Sequence, residues 1–155
     1  MLAELDRMLG LLRDHGATTE GPAVDTAGLD RVPALVSGAR SAGLDLTVSS
    51  SGVPRALGSS ADHCAFRVVQ EGVTNALRHA PGSVVTIGID YGSTGLDLAV
   101  LSVGRRHTSA YGGTGRGLVG LRERVTALGG RLDAIRPDDE SFVLRAHLPA
   151  TGSAG

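Results

Sequence analysis

The 155-residue chain has no lysine and no tryptophan, one cysteine, one asparagine and one glutamine. Each scarcity excludes something. Without lysine there can be no P-loop lysine on a phosphate, so a Walker-type nucleotide site is ruled out. The single cysteine, Cys64, excludes an internal disulfide and fits a reducing compartment. Aromatic residues make up 3% of the chain, too few for a platform on which nucleic-acid bases stack. The formal net charge of −1 provides no basic stripe for a phosphate backbone, so no nucleic-acid partner is expected. No apolar run approaches the roughly 20 residues that span a bilayer, and the N-terminus lacks a signal-peptide pattern. The segment is therefore expected to make no direct membrane contact. All fifteen basic residues are arginine. Lysine and asparagine have A-rich codons, so the bias points to a GC-rich genome. Asn75 stands against that bias, which directs attention to its side chain.

What is present is enough for one core: 41% of the residues are apolar, in a length typical of a single domain. Leu2, Leu5, Met8, Leu9 and Leu12 form one helical stripe within residues 1–15. Residues 16–28, rich in Gly, Thr and Pro, read as a linker. A helix is predicted over about 29–42, with Leu29, Val32, Leu35, Val36 and Ala39 inward. A strand follows over 44–50, on the alternation Leu44, Leu46, Val48. A long helix covers about 60–79, with Ser60 as N-cap, Asp62 in the first turn and Pro81 beyond its end. Strands at 84–91 and 96–101 alternate as a sheet with one buried face. A Gly- and Arg-rich loop fills about 102–116. A helix over about 117–128 is stopped by Gly129-Gly130, and a hairpin pairs 131–135 with 141–148. Residues 151–155 read as a disordered tail. Strands in runs, with helices between them, argue for an α+β domain over 29–150.

Two stretches carry chemistry. In FRVVQEGVTNALRHAPG, Glu71, Asn75, Arg78 and His79 fall at i, i+4, i+7 and i+8, on one helix face. Phe66, Val69, Val73, Ala76 and Leu77 occupy the others, so the helix packs while a polar stripe points into a concavity. By spacing alone, a solvated face with an incidental Glu–Arg pair fits as well. In GGTGRGLVGLRERV, Gly115, Gly117 and Gly120 crowd a helix start, although glycine costs a helix about 1 kcal/mol relative to alanine. Backbone N–H groups that closely approach an anion at the positive helix end would account for that cost. A flexible loop running into an ordinary helix would account for it too.

Together, the acidic-x-x-x-Asn helix, the hairpin and the glycine loop opening a helix resemble the GHKL ATPase superfamily. More narrowly, they resemble sensor histidine kinases of the nitrate-sensor type. That subfamily reads E-x-x-x-N-x-x-x-H, an Asp-x-Gly-x-Gly box, then Gly-x-Gly-Leu and Met/Leu-Arg-Glu-Arg. This chain has EGVTNALRH at 71–79, GRGL at 115–118 and LRER at 121–124. The resemblance covers about 29–149, and residues 1–15 resemble the end of the dimerisation helix that precedes the domain. With the codon bias, an actinobacterial source is plausible.

The resemblance implies a two-layer fold, a mixed and mainly antiparallel sheet covered on one face by helices, holding ATP and Mg²⁺. Asn75 would ligate Mg²⁺, and Glu71 would orient or activate the attacking group. Mg²⁺ takes hard oxygen ligands and is usually held by few protein groups plus phosphates, which suits an amide oxygen. Arg78 and His79 would face the phosphates or stabilise the loop, with His79 alternatively capping the helix ahead of Pro81. The backbone of Gly115, Arg116, Gly117 and Leu118 would hold phosphate oxygens, with Gly113 and Thr114 in a lid over the nucleotide. Implied partners are ATP, the phosphoacceptor-bearing dimerisation domain of the same kinase and a downstream response regulator. The implied location is cytoplasmic, either free or as the cytoplasmic part of a membrane-anchored kinase.

Two departures limit the resemblance. The aspartate that reads the adenine amino group in the family falls at Ser102, ahead of Gly104, and no acidic residue occurs between Asp97 and Glu123. A hydrogen bond to a charged group is worth about 1.5–3 kcal/mol, roughly 10- to 150-fold in affinity, so weak and less adenine-selective binding is expected. None of the five histidines sits in the helical context of a phosphoacceptor, so the chain alone should not autophosphorylate. An anti-sigma-type serine kinase, or a degenerate module acting by protein contact, are the competing readings.

Overall fold

The computed structural model describes residues 28–54, 57–104 and 116–150. The expectations for residues 1–27, for Gly113, Thr114 and Gly115, and for the tail lie outside them. A 3-10 turn, Leu29–Arg31, leads into α1 (Val32–Ser41), followed by β1 (Asp45–Gly52) and α2 (Ser59–His79). The antiparallel pair β2 (Val84–Tyr91) and β3 (Gly95–Val103) comes next, then α3 (Arg116–Ala127), and last the hairpin β4 (Arg131–Asp138) and β5 (Ser141–Pro149).

The five strands form one sheet in the order β1-β2-β3-β5-β4. Only β1 and β2 run parallel, joined by the α2 crossover. The sheet is mixed and mainly antiparallel, as the resemblance implied. Its inner face is apolar: Leu46, Val85, Ile87, Ile89, Leu96, Leu98, Val100, Leu132, Leu144, Ala146 and Leu148 are all buried. Against them pack Phe66, Val69, Val73 and Leu77 of α2, Leu121 and Val125 of α3, and Val32, Leu35 and Val36 of α1. Outward positions stay wet; on that face His147 Nδ1 lies 2.8 Å from Asp97 Oδ1. Burial of one face only is the reason the strands alternate so clearly in sequence.

The structure corrects several local expectations. The first helix is split, because Pro33 sits in the first α turn and the residues ahead of it close a 3-10 turn instead. Leu29 is only partly buried there. Gly58, not Ser60, is the N-cap of α2. Asp62 lies in the first turn as expected, but its Oδ1 also accepts the Leu29 N–H at 3.0 Å, so it caps another element. In β1 the alternation fails after Leu46, with Val48 37% exposed. This is an edge strand held to α1 at its start, where the Arg40 guanidinium donates to the Leu46 carbonyl from Nε (3.0 Å) and Nη2 (2.8 Å). The Gly129-Gly130 stop holds: Gly129 has φ +80°, and the Gly130 N–H donates to the Val125 carbonyl at 2.9 Å.

Candidate functional site

The long helix α2 lies over the middle of the sheet, and its faces divide as its sequence period demands. Val68, Val69, Gly72, Val73, Ala76 and Leu77 are buried, whereas Glu71, Asn75, Arg78 and His79 are each half-buried. Half-burial sets these four apart from the enclosed faces as one polar stripe. Gly72 lets the helix approach β3, since a Cβ there would stand 2.7 Å from both Cβ and Cγ1 of Val100. The stripe is thus held against a packed strand.

Glu71, at one end of the stripe, faces the start of α3. Its first turn carries backbone N–H groups without intrahelical acceptors, at the positive end of the helix dipole. Glu71 meets that turn: a Cβ on Gly117 would fall 2.7 Å from Glu71 Oε1 and 3.1 Å from Oε2. The glycine is there because a carboxylate occupies the space a side chain would need. Leu118, one residue on, packs against the core and pins the turn in place. Two of the three described glycine-box positions are therefore explained, Gly117 by close approach and Leu118 by packing; Arg116 opens the helix.

An open cleft of about 300 Å³ runs from this contact toward the start of α2, lined by Arg67, Gln70, Glu71, Gly117, Gly120, Leu121 and Arg124. Asn75, Arg78 and His79 do not line it; they continue the stripe in the other direction, toward the helix C-terminus. None of Arg67, Gln70 and Arg124 is given a site role by the sequence, although Arg124 closes the LRER motif. Their signal was the helical period, since Arg67 is one turn before Glu71 and Arg124 is one turn beyond Gly120. The Arg67 Nη1 donates to Gln70 Oε1 at 3.0 Å, an arrangement that braces the guanidinium on the cleft wall. Arg124 also senses the buried thiol of Cys64: burial pushes that thiol above its ordinary range, and the Arg124 charge partly opposes the rise.

Ser102 and Gly104 stand at the far end of the stripe's range, where β3 ends. Ser102 continues the inward series Leu96, Leu98, Val100 and is 6% exposed, so its hydroxyl faces the helix layer. Gly104 donates its N–H to the Glu140 carbonyl at 2.8 Å and lies against Ser83, whose Cβ a side chain would meet at 2.6 Å.

The donor chemistry of the stripe, a half-buried amide one helical turn from a carboxylate, is of the type that suits Mg²⁺ beside phosphates. Among the described residues no three His, Cys, Asp or Glu side chains converge on a metal site. The Asn75 amide would offer a divalent ion one hard oxygen, and ligand oxygens would have to complete its shell, the way Mg²⁺ is usually bound with phosphates.

No family model matches the chain. Over 67 residues it is 42% identical to the signal transduction histidine-protein kinase/phosphatase UhpB of Salmonella typhimurium, a match spanning 43% of this chain and 13% of that protein. Among solved structures, the histidine kinase domain of the Erythrobacter litoralis blue-light activated histidine kinase superposes with a TM-score of 0.59 at 20% identity, covering 96% of this chain and 72% of that one. The catalytic domain of the histidine kinase ThkA superposes at 0.55 with 15% identity, covering 96% and 92%. The five-stranded α+β fold is that of histidine kinase catalytic domains. Among the described residues no helix is long and apolar enough to cross a membrane.

Proposed function

We propose that the chain is the Mg-ATP-binding catalytic domain of a two-component sensor histidine kinase of the nitrate-sensor-like kind. It would transfer the γ-phosphoryl of ATP to a histidine on a dimerisation domain, from which a response regulator would receive it. The observation that carries this reading is the meeting of the Glu71 carboxylate with the first turn of α3 at Gly117, on a stripe that also bears Asn75.

Each residue then has a chemical task. The Asn75 amide oxygen offers Mg²⁺ one hard, neutral ligand, leaving charge balance to the phosphates. Mg-ATP, when bound, would supply the phosphoryl group, and its Mg²⁺ would neutralise part of the phosphate charge. Glu71, one helical turn from Asn75, is placed to take the proton of the acceptor imidazole or to orient it. The N–H groups of Gly117 and Leu118 present the positive helix end to phosphate oxygens. Arg67 and Arg124, on the cleft wall beyond Glu71, add positive charge beside it. Such catalysis is mostly positioning, and it suits a module that depends on a partner domain for its acceptor. The location that follows is cytoplasmic.

A degenerate module acting by protein contact is the second reading, favoured by Ser102 in place of an adenine-binding carboxylate. Calorimetric titration with Mg-AMP-PNP, run beside Asn75→Ala, separates the two. Binding by the parent chain that disappears in Asn75→Ala supports the kinase reading. Absence of binding by the parent at millimolar nucleotide would overturn it and favour the docking module.

A further inference from the structure

Ser83 is buried at 2% exposure, and its Oγ has no hydrogen-bond partner. Its main chain is satisfied: the N–H donates to the Ala80 carbonyl at 3.0 Å and the carbonyl accepts the Asp45 N–H at 3.3 Å. The hydroxyl alone is orphaned. A buried hydroxyl left unpaired lowers stability, and alanine at this position would avoid the loss. A side chain at position 104 would meet the Ser83 Cβ at 2.6 Å, so the glycine there lets the two chain segments close on each other.

Val84 pairs with Val103 and Val85 with Ser102, so Ser83 stands opposite Gly104 at the end of the β2–β3 ladder. Ser83 extends the inward series of Val85, Ile87 and Ile89, as Ser102 extends that of β3. The two hydroxyls therefore lie diagonally on the inner face, both turned toward the helix layer. The stripe on α2 leads to them: from Glu71 at the Gly117 turn to His79 is about 12 Å along the helix axis, and Ser83 is tied to Ala80 just beyond. A nucleoside triphosphate laid along this stripe, with its terminal phosphate near Glu71, would bring its base to this end.

We propose that Ser83 is a base-contacting residue, and that the Ser83 and Ser102 hydroxyls together bind the purine edge in place of the missing carboxylate. The inference rests on the nucleotide-site reading above. A carboxylate only accepts hydrogen bonds, and so rejects the carbonyl edge of guanine. A serine hydroxyl donates one and accepts two, and its proton rotates to suit. Two such groups serve the amino edge of adenine and the carbonyl edge of guanine alike. The site therefore discriminates poorly between purines.

The test is a set of titrations of the whole chain with Mg-AMP-PNP, Mg-GMP-PNP and Mg-tripolyphosphate, with thermal melts of each variant. The parent should bind both nucleotides within about 10-fold of each other. Ser83→Ala should weaken both by about 3- to 10-fold, the range of one neutral hydrogen bond. It should leave tripolyphosphate binding unchanged and melt no lower than the parent. Ser102→Asp should favour Mg-AMP-PNP over Mg-GMP-PNP. If Ser83→Ala binds both nucleotides like the parent while Asn75→Ala still abolishes binding, the role of Ser83 is refuted and the nucleotide site stands. A lower melting temperature for Ser83→Ala would make the hydroxyl structural and overturn the proposal. Failure of the parent to bind any nucleotide would remove both readings together.

Discussion

Gly117 is the residue on which stability and chemistry are most clearly separated. Its missing side chain leaves room for the Glu71 carboxylate, the far end of a flexible side chain that can swing away. Gly117→Ala should therefore fold well, and it gains up to about 1 kcal/mol of helix propensity. The displaced Glu71 would no longer sit at the first turn of α3, and small misplacements of a catalytic group cost on the order of 100-fold in rate. The expected result is an unchanged or higher melting temperature, with phosphoryl transfer to a supplied dimerisation domain reduced on that order. Transfer at the parent rate would show that Glu71 does not need the place it occupies. Gly72, next to Glu71 on α2, has the opposite character, because core atoms of Val100 face it and not a mobile carboxylate.

At the scale of elements, that glycine sets how closely α2 approaches β3. A Cβ at position 72 meets the branched Val100 side chain at 2.7 Å, and overpacking of this kind costs about 1–3 kcal/mol. Gly72→Ala should lower stability in urea unfolding, net of the helix-propensity gain. Adding Val100→Ala should recover part of the loss, so the two substitutions should be non-additive. Strict additivity would mean that the helix does not press on Val100. The join between the 3-10 turn and α2 depends on Asp62, whose carboxylate takes the Leu29 N–H. Asp62→Ala should cost about 0.5–2 kcal/mol, the range of a lost cap. Asp62→Asn, which keeps an acceptor oxygen, should restore most of it. Equal losses for the two would assign the effect to charge instead of to the hydrogen bond.

For the whole molecule, the buried thiol couples folding to pH. Burial raises the Cys64 pKa in the folded state, with Arg124 partly opposing. The folded chain then holds this proton to higher pH than the unfolded chain does. Above about pH 8.5, where an unfolded thiol ionises, the native state binds more protons and stability falls as pH rises. Urea unfolding from about pH 7 to about pH 10, a range that brackets that ionisation, should show a downward slope that is reduced in Cys64→Ala. An identical slope in both proteins would assign it to other groups. The same burial should make Cys64 slow to react with thiol reagents until the chain unfolds.

The sequence by itself determined the elements and the face each presents. Period 3.6 put Glu71, Asn75, Arg78 and His79 on one side of α2, and period 2 marked the inner faces of β2 and β3, because those patterns follow from local backbone geometry. It also located the glycines at the start of α3. Local pattern could not show that β1 would sit at the edge and expose Val48, or that Asp62 would cap a turn 33 residues earlier in the chain. Nor could it bring Gly117 against Glu71, put Arg67 and Arg124 on one cleft, or set Ser83 opposite Gly104 with its hydroxyl unpaired. Those are meetings of residues far apart in the chain, and only the packing of the helices on a sheet ordered β1-β2-β3-β5-β4 decides them.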